Sequence, residues 1–362
     1  MVKRNQSNVV SVPINIPQFR HDLITWFEKE QRELPWRENQ DPYRVWVSEI
    51  MLQQTKVETV IPYFHRFIQS FPTLEALASA DEQEVLKAWE GLGYYSRVRN
   101  LQTAVKEVVA DYEAKVPQDA EQFGKLKGVG PYTKGAVLSI AYGQPEPAVD
   151  GNVMRVLSRI LLIEEDIAKV KTRKIFEEAV RQLISHDNPS AFNQGLMELG
   201  ALICTPRNPS CLLCPVQEHC IAYDKGIEQT LPIKTKKTKQ QMKAYHVLVL
   251  EVNDNEYLLE QRPNEGLLAQ MWQFPMVEIT EVSENLLLPY INEKYQTTGH
   301  SIEKLQPVRH VFSHITWELN VVKIKCDQLH DIKQHQKTLS LEEISEYPLP
   351  VSHQKVYRQL LE

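Results

Sequence analysis

Cysteine placement constrains this chain more than any other feature. Cys204, Cys211, Cys214 and Cys220 crowd one short segment, and the only other cysteine is Cys326. The gaps are six, two and five residues. Four thiolates in one loop can enclose a metal centre, either a tetrahedral zinc or an iron–sulfur cube. Zinc sites usually come as two tight knuckles with two to four residues between ligands. Here only Cys211 and Cys214 form such a pair, and one continuous wrap with a six-residue opening gap suits a cluster better.

At 362 residues the chain is too long for one ordinary core, so two or three domains are expected. Hydrophobic content of 42% and charged content of 24% are ordinary for a soluble globular protein. The sequence has no apolar run long enough to span a membrane. The opening MVKRNQSNVV lacks a signal-peptide core. A cytoplasmic location is expected, where thiols stay reduced and hold metal rather than pair.

The net charge of −6 does not announce a nucleic-acid binder. Residues 245–362 carry 10 basic against 17 acidic side chains, leaving the remainder at +1. Lys234, Lys236, Lys237, Lys239 and Lys243 form a run without an acid, which reads as a solvated linker. Local patches can still bind a polyanion.

The pattern breaks near Asp224. Before it, apolar residues recur at three and four, punctuated by Pro and Gly. The stretch LPIKTKKTKQQMKAY follows as a linker. Then come β-type runs: YHVLVLEV, EYLLEQR and HVFSHITWELNVVKI. The expected division is a helical region over 1–228, a basic linker over 229–244 and a mixed α/β domain over 245–362.

Within the helical region, LKGVGPYTKGAVLSIA reads as a helical hairpin spanning about 121–142. Gly128 and Gly130 allow a tight turn, Pro131 opens the second helix, and the run from Ala136 to Ala141 buries it. A helix N-terminus offers N–H groups to a phosphate, and Lys125, Lys127 and Lys134 lie nearby. Asp150, in AVDGNVMR, follows Gly130 by 20 residues on a loop that starts another helix; taken alone it reads as a helix N-cap. Glu49, in VWVSEIMLQQT, has apolar neighbours, which disfavour its charged form and raise its pKa.

Hairpin, aspartate and cysteine loop together resemble the helix–hairpin–helix superfamily of DNA glycosylases, over roughly residues 20–225. Within it, PWRENQDPYRVWVSEIMLQQTKV and GLGYYSRVRNL are similar to the MutY family. Tyr132 stands where lyase-type relatives carry a catalytic lysine. GLLAQMWQFP and the later strands resemble the Nudix fold, but the Nudix catalytic helix with its Arg-Glu and Glu-Glu pairs is missing. The fold class implied is an all-α glycosylase with a cluster loop, joined to an α/β Nudix-like domain. The cluster subdomain would combine the N-terminal helix with residues 195–224.

The resemblance implies an enzyme that releases adenine mispaired with 8-oxoguanine or guanine in double-stranded DNA. Glu49 would protonate adenine N7, and Asp150 would stabilise the oxocarbenium ion or bond to it. Tyr132 and Asn152 would position Asp150 and the sugar. Trp36, Arg37, Leu52 and Gln194 would form the adenine pocket, with the Gln194 amide suited to N6 and N7. Gln54, Thr55 and Tyr94 would enter the duplex, and Gly128, Gly130 and Lys134 would hold its backbone. Phe312, Ser313 and His314 would recognise 8-oxoguanine. Cys204, Cys211, Cys214 and Cys220 would hold one four-iron four-sulfur cluster, in a loop presenting Arg207 to phosphate. The implied enzyme is a monomer working at a bacterial nucleoid, with a sliding clamp as a partner on the linker. The competing readings are an endonuclease III-like lyase and a non-catalytic damage binder.

Overall fold

The computed structural model describes residues 12–235, 241–253, 255–329 and 332–362. Two compact units emerge. One takes the chain up to Ala78 together with Asn100–Lys237; the other takes Ser79–Arg99 with Thr238–Glu362. The segment 79–99 thus belongs with the C-terminal unit rather than with the helical region in which it lies in sequence. Side chains explain this: Trp272 Nε1 donates to Gln83 Oε1 at 3.0 Å, and Leu349 N donates to Glu90 Oε1 at 2.7 Å.

The helices in chain order begin with α1 (Ile16–Glu30), α2 (Pro42–Leu52), α3 (Val57–Ser70), α4 (Leu74–Ser79), α5 (Glu82–Ala88) and α6 (Ser96–Asp111). They continue with α7 (Ala120–Lys125), α8 (Pro131–Tyr142), α9 (Gly151–Ile160), α10 (Val170–Leu183), α11 (Pro189–Leu202) and α12 (Ile221–Asp224). Of these, α5 lies in the second unit, and α6 starts there and ends in the first. Starts are encoded locally. Proline opens α2, α8 and α11, where its missing N–H costs nothing. Asp41, Asp119, Asp150 and Asn188 cap helices by accepting from backbone N–H groups of the first turn. The buried helix α11 packs against α1, α8 and α9, and α2 packs on α8. One core, built on Phe19, Leu23, Phe176, Phe192 and Leu196, reaches Cys204, Cys214 and Cys220 at its edge.

The hairpin is α7–turn–α8. Gly128 has φ +77°, and a Cβ there would meet the Asn100 Cβ at 2.8 Å. Gly130 differs from expectation: its backbone is extended (φ −88°, ψ 174°) and a Cβ would meet nothing within 4 Å. Only the first glycine is required by the turn. A third glycine matters more for packing. A Cβ on Gly135 would sit 1.9 Å from the Pro147 carbonyl oxygen, so α8 lies directly on that backbone.

The second unit is a mixed eight-stranded sheet: β1 (Gln241–Val252), β2 (Glu256–Gln261), β3 (Trp272–Gln273), β4 (Met276–Glu278), β5 (Gly299–Lys304), β6 (Val308–Val311), β7 (Ile315–Cys326) and β8 (Gln336–Ser340). The order is β3-β2-β1-β7-β5, with β4 on β1, β6 on β7 and β8 on β2. The long central pair β1 and β7 is parallel, with Tyr245 opposite Leu319 and Val249 opposite Lys323. Both faces are covered, which is why VLVLEV reads as a continuous apolar run rather than an alternation. Val247 and Val249 face a core reached by Val356 of α15 (Val351–Gln359); Leu248 and Leu250 face one with Leu287 and Ile291 of α13 (Leu287–Tyr295). The short α14 (Leu341–Ile344) lies between them in sequence.

The β-type run 310–324 is broken by a tight hairpin at 312–314, closed by Phe312 N donating to Ile315 O at 2.8 Å. The C-terminal end of the expected linker is already strand β1. Lys236, Lys237 and Lys239, and with them the centre of the expected clamp-docking run, lie outside the described residues. Among the described residues no helix is long and apolar enough to cross a membrane.

Gly135→Ala should lower stability by about 1–3 kcal/mol, because the backbone it would strike cannot turn aside. A thermal shift within the range seen for surface substitutions would contradict this packing.

Candidate active site

Helix α2 has no solvent face around its acid: Val45 through Met51 are all buried. Glu49 is 4% exposed. Tyr132, in the first turn of α8, donates its hydroxyl to Glu49 Oε2, and that hydroxyl lies 3.4 Å from the Met197 sulfur of α11. Burial drives the Glu49 pKa up, the Tyr132 bond and Arg37 pull it down, and Asp150 pushes it up again. The outcome is about 7, so the group holds a proton near neutrality. The hydroxyl expected to position Asp150 is therefore spent on Glu49.

Asp150 does cap α9, accepting from Val153 N at 2.7 Å. It also accepts from Asn152 Nδ2 at 3.0 Å, as expected of a positioning amide. Burial raises its pKa, against the Val153 N–H, the Arg155 charge and Asn152. Asn152 is itself held. Arg155 Nη2 donates to Asn152 Oδ1 at 2.9 Å and to Gly200 O at 2.6 Å, and its Nε donates to Cys204 O at 2.8 Å. Gly200 lets α11 approach so closely that a Cβ there would sit 2.7 Å from the Asn152 Cβ.

The expected base pocket divides. Trp36 is a core residue, buried edge-to-face on Phe64 with centroids 5.5 Å apart. Leu52 ends α2, half-buried. Arg37 and Gln194 do meet: Arg37 Nε donates to Gln194 Oε1 at 2.9 Å. Arg32 and Glu198, missed in the sequence, complete this cluster. The available signal was an acid within the apolar stretch GLMELGALIC, one turn beyond Gln194. Gln54 follows α2, exposed and with φ +60°, a strained conformation of the kind found at functional sites. Thr55 N donates to Leu52 O, closing that turn. Lys134 pairs with Glu146 at 3.8 Å and Lys125 with Glu121 at 2.7 Å, so two of the three hairpin lysines have internal partners.

All four clustered cysteines line one small cavity of about 20 Å³, with Arg159, Leu199 and Glu228 among its walls. Among the described residues no three His, Cys, Asp or Glu side chains converge on one point as a single ion needs. Arg159 tests the alternative. It is 1% exposed, and its guanidinium donates to the carbonyls of Leu231, Thr205 and Pro206 and to Cys204 Sγ at 3.2 Å. None of those hydrogen-bond partners is an acid, although Glu228 lines the same cavity. Cluster-bound thiolates would place negative charge directly beside this guanidinium, so the lining fits a cluster. Burial holds the Cys214 and Cys220 thiols at about 12 and about 11, so a cluster must displace their protons. Arg207 is exposed on the same loop.

In the second unit, Ser313 and His314 form the exposed turn between β6 and β7. Phe312 anchors that turn edge-to-face on Trp317, with centroids 4.9 Å apart. The Ser313 hydroxyl lies 2.7 Å from the Tyr94 hydroxyl, within hydrogen-bonding distance. Tyr94 is 43% exposed and holds φ +48°. Both residues line a cavity of about 560 Å³ with Arg99, Asn264 and His310.

The raised Glu49 pKa has a stability consequence. The folded state holds this proton up to about 7, whereas the unfolded chain releases it near 4.5. Stability from this group is therefore present below 4.5 and lost as pH rises to 7. Glu49→Gln should be more stable than the parent at pH 8, by on the order of 1–3 kcal/mol, and equal to it at pH 4. Thermal unfolding at the two pH values decides this; a pH-independent difference would contradict the burial argument.

Residues 47–182 match the model of the HhH-GPD superfamily base excision DNA repair proteins, residues 204–220 the iron-sulfur binding domain of endonuclease III, and residues 246–359 the NUDIX domain. An adenine DNA glycosylase of Mus musculus is 36% identical, with 87% of this chain and 72% of that protein covered. One from Buchnera aphidicola subsp. Schizaphis graminum is 31% identical over 93% of this chain and 97% of its own. A thermostable thymine-DNA glycosylase structure is similar with a TM-score of 0.52 and 28% identity, covering 58% of this chain and 97% of that one. An endonuclease III–DNA covalent complex, at 22% identity and a TM-score of 0.50, shares the fold over 59% of this chain and 99% of its own. The cysteine loop is accordingly the site of a four-iron four-sulfur cluster, and the chain belongs to the adenine DNA glycosylase family, DNA N-glycosylases of base excision repair.

Proposed function

We propose that this chain releases adenine paired with 8-oxoguanine or with guanine in double-stranded DNA and leaves the strand uncut. The observation carrying this is Glu49, a buried carboxyl that keeps its proton near neutrality, with Asp150 close enough to perturb it. The adenine must first leave the stack. Gln54 and Tyr94, both strained and exposed, are suited to take its place or wedge the duplex. Protonated Glu49 then gives its proton to adenine N7, and Tyr132 takes up the carboxylate formed. The glycosidic bond breaks with its electron pair on the base. Ionised Asp150, held by Val153 N and Asn152, stabilises the cation at C1′ or bonds to it. Water adds hydroxide to C1′ and returns a proton to a carboxylate. Tyr132 offers no amine for a Schiff base, which supports release without strand cleavage.

Choice of the opposite base falls to the second unit. Ser313, presented by a hairpin turn, can exchange donor for acceptor at a lesion whose N7 carries a hydrogen. Tyr94 holds it there, and His314 stands exposed beside it. The cluster loop folds so as to offer Arg207 to phosphate. This reading takes the enzyme as a monomer of the cytoplasm.

Single-turnover base release from duplexes with adenine opposite 8-oxoguanine, guanine or thymine tests the reading. Release opposite the two guanines only, with breaks only after alkali, is expected. Breaks without alkali would overturn it. Above pH 7 the rate should fall about tenfold per pH unit, and Glu49→Gln should abolish release. Ser313→Ala combined with His314→Ala should erase the preference for 8-oxoguanine over guanine while adenine release continues; an unchanged preference would remove these residues from lesion recognition.

A further inference from the structure

Glu198 lies one turn beyond Gln194 on α11 and is 2% exposed. Its carboxylate accepts from Arg32 N at 3.0 Å, Arg32 Nε at 2.9 Å, Arg32 Nη2 at 3.0 Å, Arg37 Nη2 at 3.0 Å and Arg37 Nη1 at 3.4 Å. Burial alone would push this carboxyl up, but the two guanidiniums hold it at about 2, so it stays charged. Arg37 is thereby fixed, and its remaining nitrogen, Nε, donates to Gln194 Oε1 at 2.9 Å. The other end of that amide, Nε2, donates to Ser190 Oγ at 3.1 Å.

A free glutamine amide can turn over and exchange its carbonyl for its NH2 group. Here the turn would set the NH2 against the Arg37 Nε–H, donor against donor. The orientation is therefore as firm as Arg37, and Arg37 is as firm as Glu198.

Orientation matters because N7 of the base is already claimed by Glu49. Gln194 is then left with the edge carrying N6 and N1, in place of the N6 and N7 pairing expected from the sequence. Adenine presents a donor at N6 and an acceptor at N1, matching an amide oxygen and an amide N–H. A 6-oxo purine presents the reverse: an acceptor at O6 and a donor at N1. The turned amide would suit that edge equally well.

We infer that Glu198 is a positioning residue for base choice: by holding Arg37 it prevents the Gln194 amide from turning over, and so excludes purines with a 6-oxo edge. The inference rests on the proposed adenine release and on the meeting of Gln194 with the everted base that the family resemblance implies.

The test is single-turnover release of adenine and of hypoxanthine, each opposite 8-oxoguanine. Hypoxanthine carries the 6-oxo edge without the extra amino group of guanine. The parent is compared with Gln194→Ala, Glu198→Gln, Arg37→Lys and the double variant Gln194→Ala with Glu198→Gln. Arg37→Lys keeps a cation for Glu198 but lacks the forked donors. Each single variant should lower the adenine-to-hypoxanthine ratio by about tenfold or more. The double variant should show no further fall beyond Gln194→Ala. Loss of folded enzyme lowers both rates together and leaves the ratio alone. If Glu198→Gln does not fold, Arg37→Lys decides. An unchanged ratio in Gln194→Ala means that Gln194 does not meet the base, and the underlying pocket reading falls. A lowered ratio there, with the parental ratio kept in the folded variants of Glu198 and Arg37, overturns the lock and leaves the pocket reading standing.

Discussion

A charge taken out of water must find a partner or surrender to its neutral form, and the helical unit applies that rule three ways. Glu49 finds a hydroxyl and keeps its proton. Glu198 finds two guanidiniums and keeps its charge. Arg159 finds carbonyls and a cysteine sulfur, where cluster-bound thiolates would face its charge. Two glutamates of one unit thus end at opposite extremes. The difference lies in what faces them and not in their depth, since both are nearly inaccessible.

Helix α11 ties these solutions together. It carries Gln194, Met197, Glu198 and Gly200 and leads into Cys204. Its glycine admits α9 at a distance no side chain allows, which sets Asn152 and, through it, Asp150. The Arg155 guanidinium joins the Asn152 amide, the Gly200 carbonyl and the Cys204 carbonyl. Through Arg155, the backbone of the first cluster cysteine is thus tied to the amide that holds Asp150.

The second unit keeps a Nudix-like sheet while its candidate chemistry has moved to a turn. Burying both faces of the β1–β7 pair makes a stiff platform, and the β6–β7 hairpin projects Ser313 and His314 from it. Phe312 roots the turn in the core. Tyr94 reaches the same serine from a segment that precedes the sheet by many residues in sequence. Positive φ at Tyr94 and at Gln54 marks two places where local preference gives way to display.

Local sequence by itself determined the elements with chemistry written into neighbouring residues. Proline and aspartate at helix starts, the Gly128 turn, the apolar strands and the spacing of the cysteines were legible because each is a short-range rule. Glu49 and Asp150 were legible as candidates for the same reason, one by apolar neighbours and one by its place at a helix start. Only the tertiary structure decided that Tyr132 serves Glu49 and not Asp150, that Trp36 is core, that Gly130 is dispensable to the turn, and that 79–99 belongs with the sheet. It also supplied Arg32, Glu198, Arg155 and Arg159, whose partners lie far along the chain or across a helix pair. A buried ion pair or a shared hydrogen bond leaves no periodic trace in sequence, because its energy depends on two groups meeting in space and not on their spacing.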